Sequence, residues 1–203
     1  MNKSLKNFKI YKKKSYYSCG HACMRSIINY FLEKDIPEKT IIKIGQEAEK
    51  NMKSQEHEGK KTADEGLDFL GMKGIARKYN LTGLTKANAN IKFLKFFLNK
   101  QIPIFVCWVP GEELEIDKNG KIIVNGHYSL VIGLKNEKII LADPEPGKKS
   151  IHNMPFKKFE ERWYKGYYNP PGVCKERIKN WVIVFWNKEE KLRLPKWIKG
   201  RRF

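Results

Sequence analysis

The sequence predicts an α+β fold in which helices from the first half pack on an antiparallel sheet from the second. Two observations carry this. Helix signals mark four stretches before residue 100, and the segments 104–109, 127–134, 138–142 and 181–186 are short runs rich in β-formers. At 203 residues the chain is long enough for one well-buried core and has no composition shift that marks a second. A single domain over 1–203 is expected, with its core at about 13–187 and basic segments at both ends.

Ser18 is a good N-cap, and Cys23, Ile27, Tyr30 and Phe31 follow at helical spacing, so residues 19 to about 33 form a helix with one buried face. A second helix runs from Pro37, tolerated in a first turn, to about Asn51. The polar stretch 53–61 reads as a loop. Thr62-Ala63-Asp64-Glu65 has the capping-box pattern ahead of Leu67, Phe69 and Leu70 and starts a third helix, interrupted or ended near Gly71 and Gly74. The fourth spans about 90–99 and presents Ile91, Phe93, Leu94, Phe97 and Leu98. Within the strand-rich half, Asn119-Gly120 lies between strand-forming residues of the stretch 115–124, which predicts a small hairpin. Residues 156–163 form a short helix, and 164–175 an aromatic loop rich in glycine and proline.

Forty-one Lys+Arg against 22 Asp+Glu give a formal charge of +19, with six lysines in residues 1–14 and seven Lys/Arg after Asn187. Such ends would attract an anionic partner, nucleic acid or a membrane surface; a solvated basic surface accounts for the charge equally well. No apolar stretch nears the ~18 residues of a membrane span, and no apolar run follows the basic N-terminus as in a signal peptide, so a cytoplasmic protein is expected. Cys19, Cys23, Cys107 and Cys174 read as free thiols.

Chemistry concentrates on three residues. Cys19 falls in the first turn of its helix, where unpaired N–H groups and the positive end of the dipole favour thiolate, and Lys12, Lys13 and Lys14 lie just upstream. Such settings lower a thiol pKa from ~8.5 to ~3.5–7.5. His127 can supply an imidazolium partner, and Asp143 can accept a hydrogen bond from the other ring nitrogen. Their separation of sixteen positions suits adjacent antiparallel strands, His127 beginning one and Asp143 ending the next, where Pro144 stops the ladder. Cys23 and Cys107 read as core. Cys19, His21 and Cys23 point in different directions on a helix and lack a second Cys/His pair at zinc spacing, so neither metal nor cofactor is expected.

In sequence the constellation resembles the double-glycine leader peptidases that process bacteriocins, a branch of the papain-like cysteine peptidases. Cys19-Gly20-His21-Ala22-Cys23 matches their Cys-Gly-x-Ala-Cys at a helix start, and Gly126-His127 followed by Tyr128 to Gly133 matches their Gly-His before a run of β-formers. Asp143-Pro144-Glu145-Pro146-Gly147 matches Asp-Pro-x-x-Gly, and Phe159 and Trp163 match a later Phe and Trp. The resemblance implies a papain-like fold and a cysteine peptidase with Cys19, His127 and Asp143 as catalytic triad, acting on a peptide or protein substrate through an acyl-thioenzyme. It also implies an oxyanion hole from the Cys19 backbone N–H and, six residues earlier, a family glutamine; Lys13 stands at that position. The aromatic segment from Trp163 to Tyr168 and the hairpin near Asn119 would flank the cleft. Two alternatives stay open: an acyltransferase on the same triad, and a non-catalytic basic binding domain on the same fold.

Overall fold

A computed structural model describes residues 3–53, 66–110, 115–116, 122–123, 127–147, 149–168 and 174–203. In chain order the elements are β1 (Lys3–Ser4), α1 (Cys19–Leu32), α2 (Glu38–Lys53), α3 (Phe69–Lys78), β2 (Leu81–Lys86), α4 (Ile91–Asn99), β3 (Ile104–Trp108), β4 (Glu115–Ile116), β5 (Ile122–Ile123), β6 (His127–Lys135), β7 (Lys138–Ala142), β8 (Ile151–Pro155), α5 (Phe156–Arg162), β9 (Tyr164–Tyr168), β10 (Cys174–Lys179), β11 (Val182–Asn187) and β12 (Arg201–Arg202).

The main sheet runs β12-β2-β11-β3-β6-β7-β8, every pairing antiparallel, with β1 added along β6. This is the expected α+β arrangement, with the helices of the first half packed on an antiparallel sheet. The centre of the sheet is covered on both faces: all five residues of β3 are buried, as are Val182 to Trp186 of β11. Helices α1 and α4 pack against β6, while α2 and α3 pack on each other. The interior is filled by Phe93, Phe97, Phe105, Phe159, Trp163 and Phe185, all essentially solvent-free, each worth roughly 1.5–3 kcal/mol of burial.

Several local expectations are corrected. Ser18 stands at the N-cap of α1, yet its hydroxyl makes no capping bond; Oγ instead accepts from the Ser15 N–H and donates to the Ser15 carbonyl, both at 3.1 Å. Helix α3 starts at Phe69, capped by Asp68, whose carboxylate accepts from the Gly71 N–H at 2.9 Å. The Thr62–Glu65 capping box and most of the stretch 53–61 lie outside the described residues. Gly71 and Gly74 do not interrupt α3. They permit close approach to α2, since a Cβ on Gly74 would lie 2.0 Å from Ala48 Cβ and one on Gly71 2.5 Å from the Glu49 carboxylate.

The predicted loop at 164–175 contains strand: β9 and β10 pair antiparallel, with Tyr164 opposite Lys179. The short β4 and β5 pair as the hairpin required, although its Asn119-Gly120 turn lies outside the described residues. Both basic ends contribute to the sheet. The Leu5 N–H reaches the Ile132 carbonyl at 2.8 Å beyond β1, and Phe203 exchanges bonds of 3.2 and 3.4 Å with Gly83 beyond β12. Among the described residues no helix is long and apolar enough to cross a membrane.

One end of the sheet gathers the chemistry. His127 begins β6 opposite Trp108, the last residue of β3, while Asp143 follows β7 directly. Antiparallel alternation brings the starts of β8, β11 and β12 and the end of β2 to that same end.

Candidate active site

Cys19 is the first residue of α1 and His127 the first of β6, and the packing of α1 on β6 brings the two side chains into hydrogen-bond contact. Tyr128 sets the alignment through its backbone: its N–H bonds to the Cys19 sulfur, and its carbonyl accepts from Cys23 Sγ at 3.5 Å. Gly20 lets the Tyr128 ring lie against the helix, since a Cβ there would meet it at 3.2 Å.

On the far side of the imidazole, His127 Nε2 lies 2.7 Å from Asp143 Oδ1, leaving Nδ1 for Cys19. Asp143 Oδ1 also accepts from the Glu145 N–H at 2.9 Å, a local turn that fixes the carboxylate. All three groups are nearly inaccessible, at 8 % for Cys19, 8 % for His127 and 4 % for Asp143, so their mutual charges act in a poorly screened setting.

Burial alone would raise the Cys19 thiol; the hydrogen bond and charge of His127, the Tyr128 N–H and the charge of Lys13 outweigh it and hold the thiol below its ordinary value. Burial would likewise lower His127, but the Asp143 and Cys19 hydrogen bonds and charges push it up to about 9. Asp143, despite burial, is held below the usual carboxylate range by His127, the Glu145 N–H and His152. These directions describe a thiolate–imidazolium pair backed by a carboxylate.

The neighbouring thiols differ. Cys23 is fully enclosed, and burial, with the nearby negative charges of Cys19 and Asp143, pushes its thiol well above the ordinary range. Cys107 is buried in β3. Cys19, Cys23 and Cys107 are free thiols; the Cys174 side chain lies outside the described residues. His21 points into the contact with α2, and burial pulls its pKa down to about 4. It is a neutral packing residue.

Lys13 reaches the site in a different attitude from a free donor. Its ammonium bonds Glu145 Oε2 at 2.7 Å and the Tyr16 carbonyl at 3.1 Å, with the side chain 9 % exposed. Those two bonds leave one of its three N–H groups. Its backbone N–H donates to the Pro144 carbonyl at 2.9 Å, and Lys12 Nζ donates to the carbonyls of Asp143 and Glu145. The lysine run is thus a brace along the turn that carries Asp143. Glu145 gave no sequence signal beyond its place between two prolines.

Other participants were read only as core or not at all. Trp108 packs edge-on against His127 with centroids 6.3 Å apart, its Nε1–H bonded to Ser129 Oγ at 2.9 Å, and screens the imidazole from solvent. His152 on β8 places Nε2 3.7 Å from the second Asp143 oxygen. Trp163, expected beside the cleft, is fully buried, and its Nε1–H donates to the Trp181 carbonyl at 3.0 Å. Among the described residues no cluster of His, Cys, Asp or Glu has the makings of a metal site.

The chain is similar to known proteins over most of its length. The model of the Peptidase_C39 like family matches residues 5–169. The peptidase domain of Streptococcus ComA, a bifunctional ABC transporter of a quorum-sensing pathway, superposes with a TM-score of 0.58 at 18 % identity, covering 89 % of this chain and 98 % of that one. A C39-like peptidase from Bacillus anthracis gives 0.58 at 15 % identity, covering 91 % and 97 %. No curated protein matches the chain.

Proposed function

The chain belongs to the Peptidase_C39 like family, and from that premise we propose that it is a cysteine peptidase in which Cys19, His127 and Asp143 hydrolyse a peptide bond. The observation that carries the reading is the continuous line from the Cys19 sulfur through the His127 ring to Asp143 Oδ1, the last link 2.7 Å long.

The Cys19 thiolate attacks the scissile carbonyl carbon, forming the C–S bond while the carbonyl π electrons move to oxygen. The oxyanion sits at the start of α1, where the Cys19 backbone N–H has no partner within the helix. As the tetrahedral species collapses, the His127 imidazolium gives its proton to the departing amine, leaving an acyl-thioenzyme and neutral imidazole. Water then attacks the thioester, His127 takes its proton, and the carboxylic acid leaves as the thiolate returns. Asp143 keeps the ring oriented and its charged form stable throughout.

The products test the reaction class. Incubation with peptides in water enriched in oxygen-18 is expected to place the label in the new carboxyl group. Amide or hydroxamate products with added amine or hydroxylamine, and no labelled acid, would reassign the chain as an acyltransferase.

Lys13 supplies the second oxyanion donor through its remaining N–H. Lys13→Ala is then expected to slow acylation on the order of 100-fold with the fold intact, and Lys13→Gln, a planar amide at the same place, to retain or raise the rate. Full wild-type turnover in Lys13→Ala would reduce Lys13 to the brace described above.

A further inference from the structure

Beyond Trp181, along the same end of the sheet as His127, lies a groove of about 490 Å³ lined by Thr85, Lys86, Ala87, Ile178, Trp181, Lys199, Gly200 and Arg201. Its cations come from separate elements. Lys86 ends β2, Arg201 begins β12, and Lys199 precedes that strand. Among the described residues none of the three has an acidic partner. The positive charge is crowded: burial, then the like charges of Arg77 and Arg201, hold the Lys73 ammonium below its usual range. Uncompensated cations around an indole provide for carboxylates attached to a chain with some apolar surface.

Packed side chains link the groove to the candidate active site. The Trp181 ring lies 6.3 Å from that of Tyr128, which in turn rests against Gly20 beside Cys19. In register, Lys86 pairs with Val182, Val182 with Val106, and Val106 with Ser129, two residues past His127. Three strand spacings of ~4.8 Å place the groove on the order of 15 Å from His127, a span of about five extended residues. Lys199 and Arg201 lie beyond residues 5–169, the stretch that matches the family.

We propose that this groove is a substrate subsite for an acidic segment of the peptide, its Asp or Glu carboxylates held by Lys86, Lys199 and Arg201 about five residues from the scissile bond. The inference rests on the peptidase reading for its occupant. Coulombic attraction supplies the recognition, so it weakens with salt.

The test uses the full chain with Cys19→Ala, so that binding is read without turnover. Fluorescein-labelled oligoglutamate and oligoglutamine are titrated by anisotropy at low and high salt. The expected result is salt-sensitive binding of oligoglutamate alone, at least ten-fold weaker in Lys86→Ser/Lys199→Ser/Arg201→Ser and unchanged in Lys188→Ser/Lys191→Ser/Arg193→Ser, which loses the same charge elsewhere. Equal loss in both variants, or none in the first, overturns the proposal, as does an oligouridylate that binds tighter than oligoglutamate through the same three residues. In turnover, wild type should favour a peptide with Glu about five positions from the cut over its Gln counterpart, through KM. Cleavage without that preference sinks the subsite while the peptidase reading stands; specific binding without any cleavage does the reverse.

Discussion

Replacing Cys19 with alanine is expected to abolish peptide turnover, a loss on the order of 10⁶-fold, while leaving the folded state intact. The size follows from chemistry: without the sulfur there is no acyl-thioenzyme, and the remaining oxyanion donors and binding contacts give only residual rate enhancement. The fold should tolerate the change because Cys19 heads its helix and contributes little apolar packing, whereas the stripe behind it, Cys23, Met24, Ile27 and Ile28, stays filled. Turnover of a fluorogenic peptide and thermal melting, measured on the same preparations, check both halves. Cys23→Ala is the control, since its enclosed thiol is pushed toward the neutral form. If Cys23→Ala abolished turnover and Cys19→Ala did not, the nucleophile assigned here would be wrong.

The site was more legible in the sequence than the sheet around it. Cys19 announced itself through the helix that follows, and His127 and Asp143 through two strands whose continuous apolar runs gave their ends away. What those residues could not reveal is tertiary. Lys13 could be placed six positions upstream, but the ties of its ammonium to Glu145 and the Tyr16 carbonyl, which leave one N–H over, are made by folding and invisible in spacing.

The missed strands have their own physical reasons. In β2 a glycine weakens the strand signal of 81–86, but Gly83 is there so that the Phe203 ring, 2.6 Å from where its Cβ would be, can cover the strand. In β8, residues 151–155 mix polar and apolar side chains, none of them buried, and end in proline, which suits the edge position they occupy. Strand β12 contributes two residues, Arg201 and Arg202, whose charges hid a pairing to β2. Gly71 and Gly74 misled in the opposite direction, since α3 keeps its hydrogen bonds and uses them for contact with α2.

Replacing His127 should uncouple the two properties that the site combines, thiolate at low pH and proton delivery at high pH. In the wild type His127 holds its proton up to about pH 9, and Cys19 is ionised below the ordinary thiol range, so the reactive ion pair exists between those limits. Peptide turnover is therefore expected to fall as pH rises through about 9, where His127 can no longer protonate the leaving amine. The stability that His127 adds by gaining its partners follows the same sign: it is full below the free-histidine value of ~6.5 and is lost as pH rises through about 9. In His127→Ala the largest opponent of burial disappears, leaving only the Tyr128 N–H and Lys13 to favour the thiolate. Cys19 then loses the bond and charge that hold it low, and burial drives the thiol back up toward its neutral form. Iodoacetamide labelling of Cys19 at pH 6 should drop steeply and peptide turnover on the order of 10³-fold or more, with the far-ultraviolet circular dichroism unchanged. Labelling at pH 6 that survived the substitution would mean that the helix terminus and Lys13 alone sustain the thiolate, and His127 would then be left with proton transfer as its sole role.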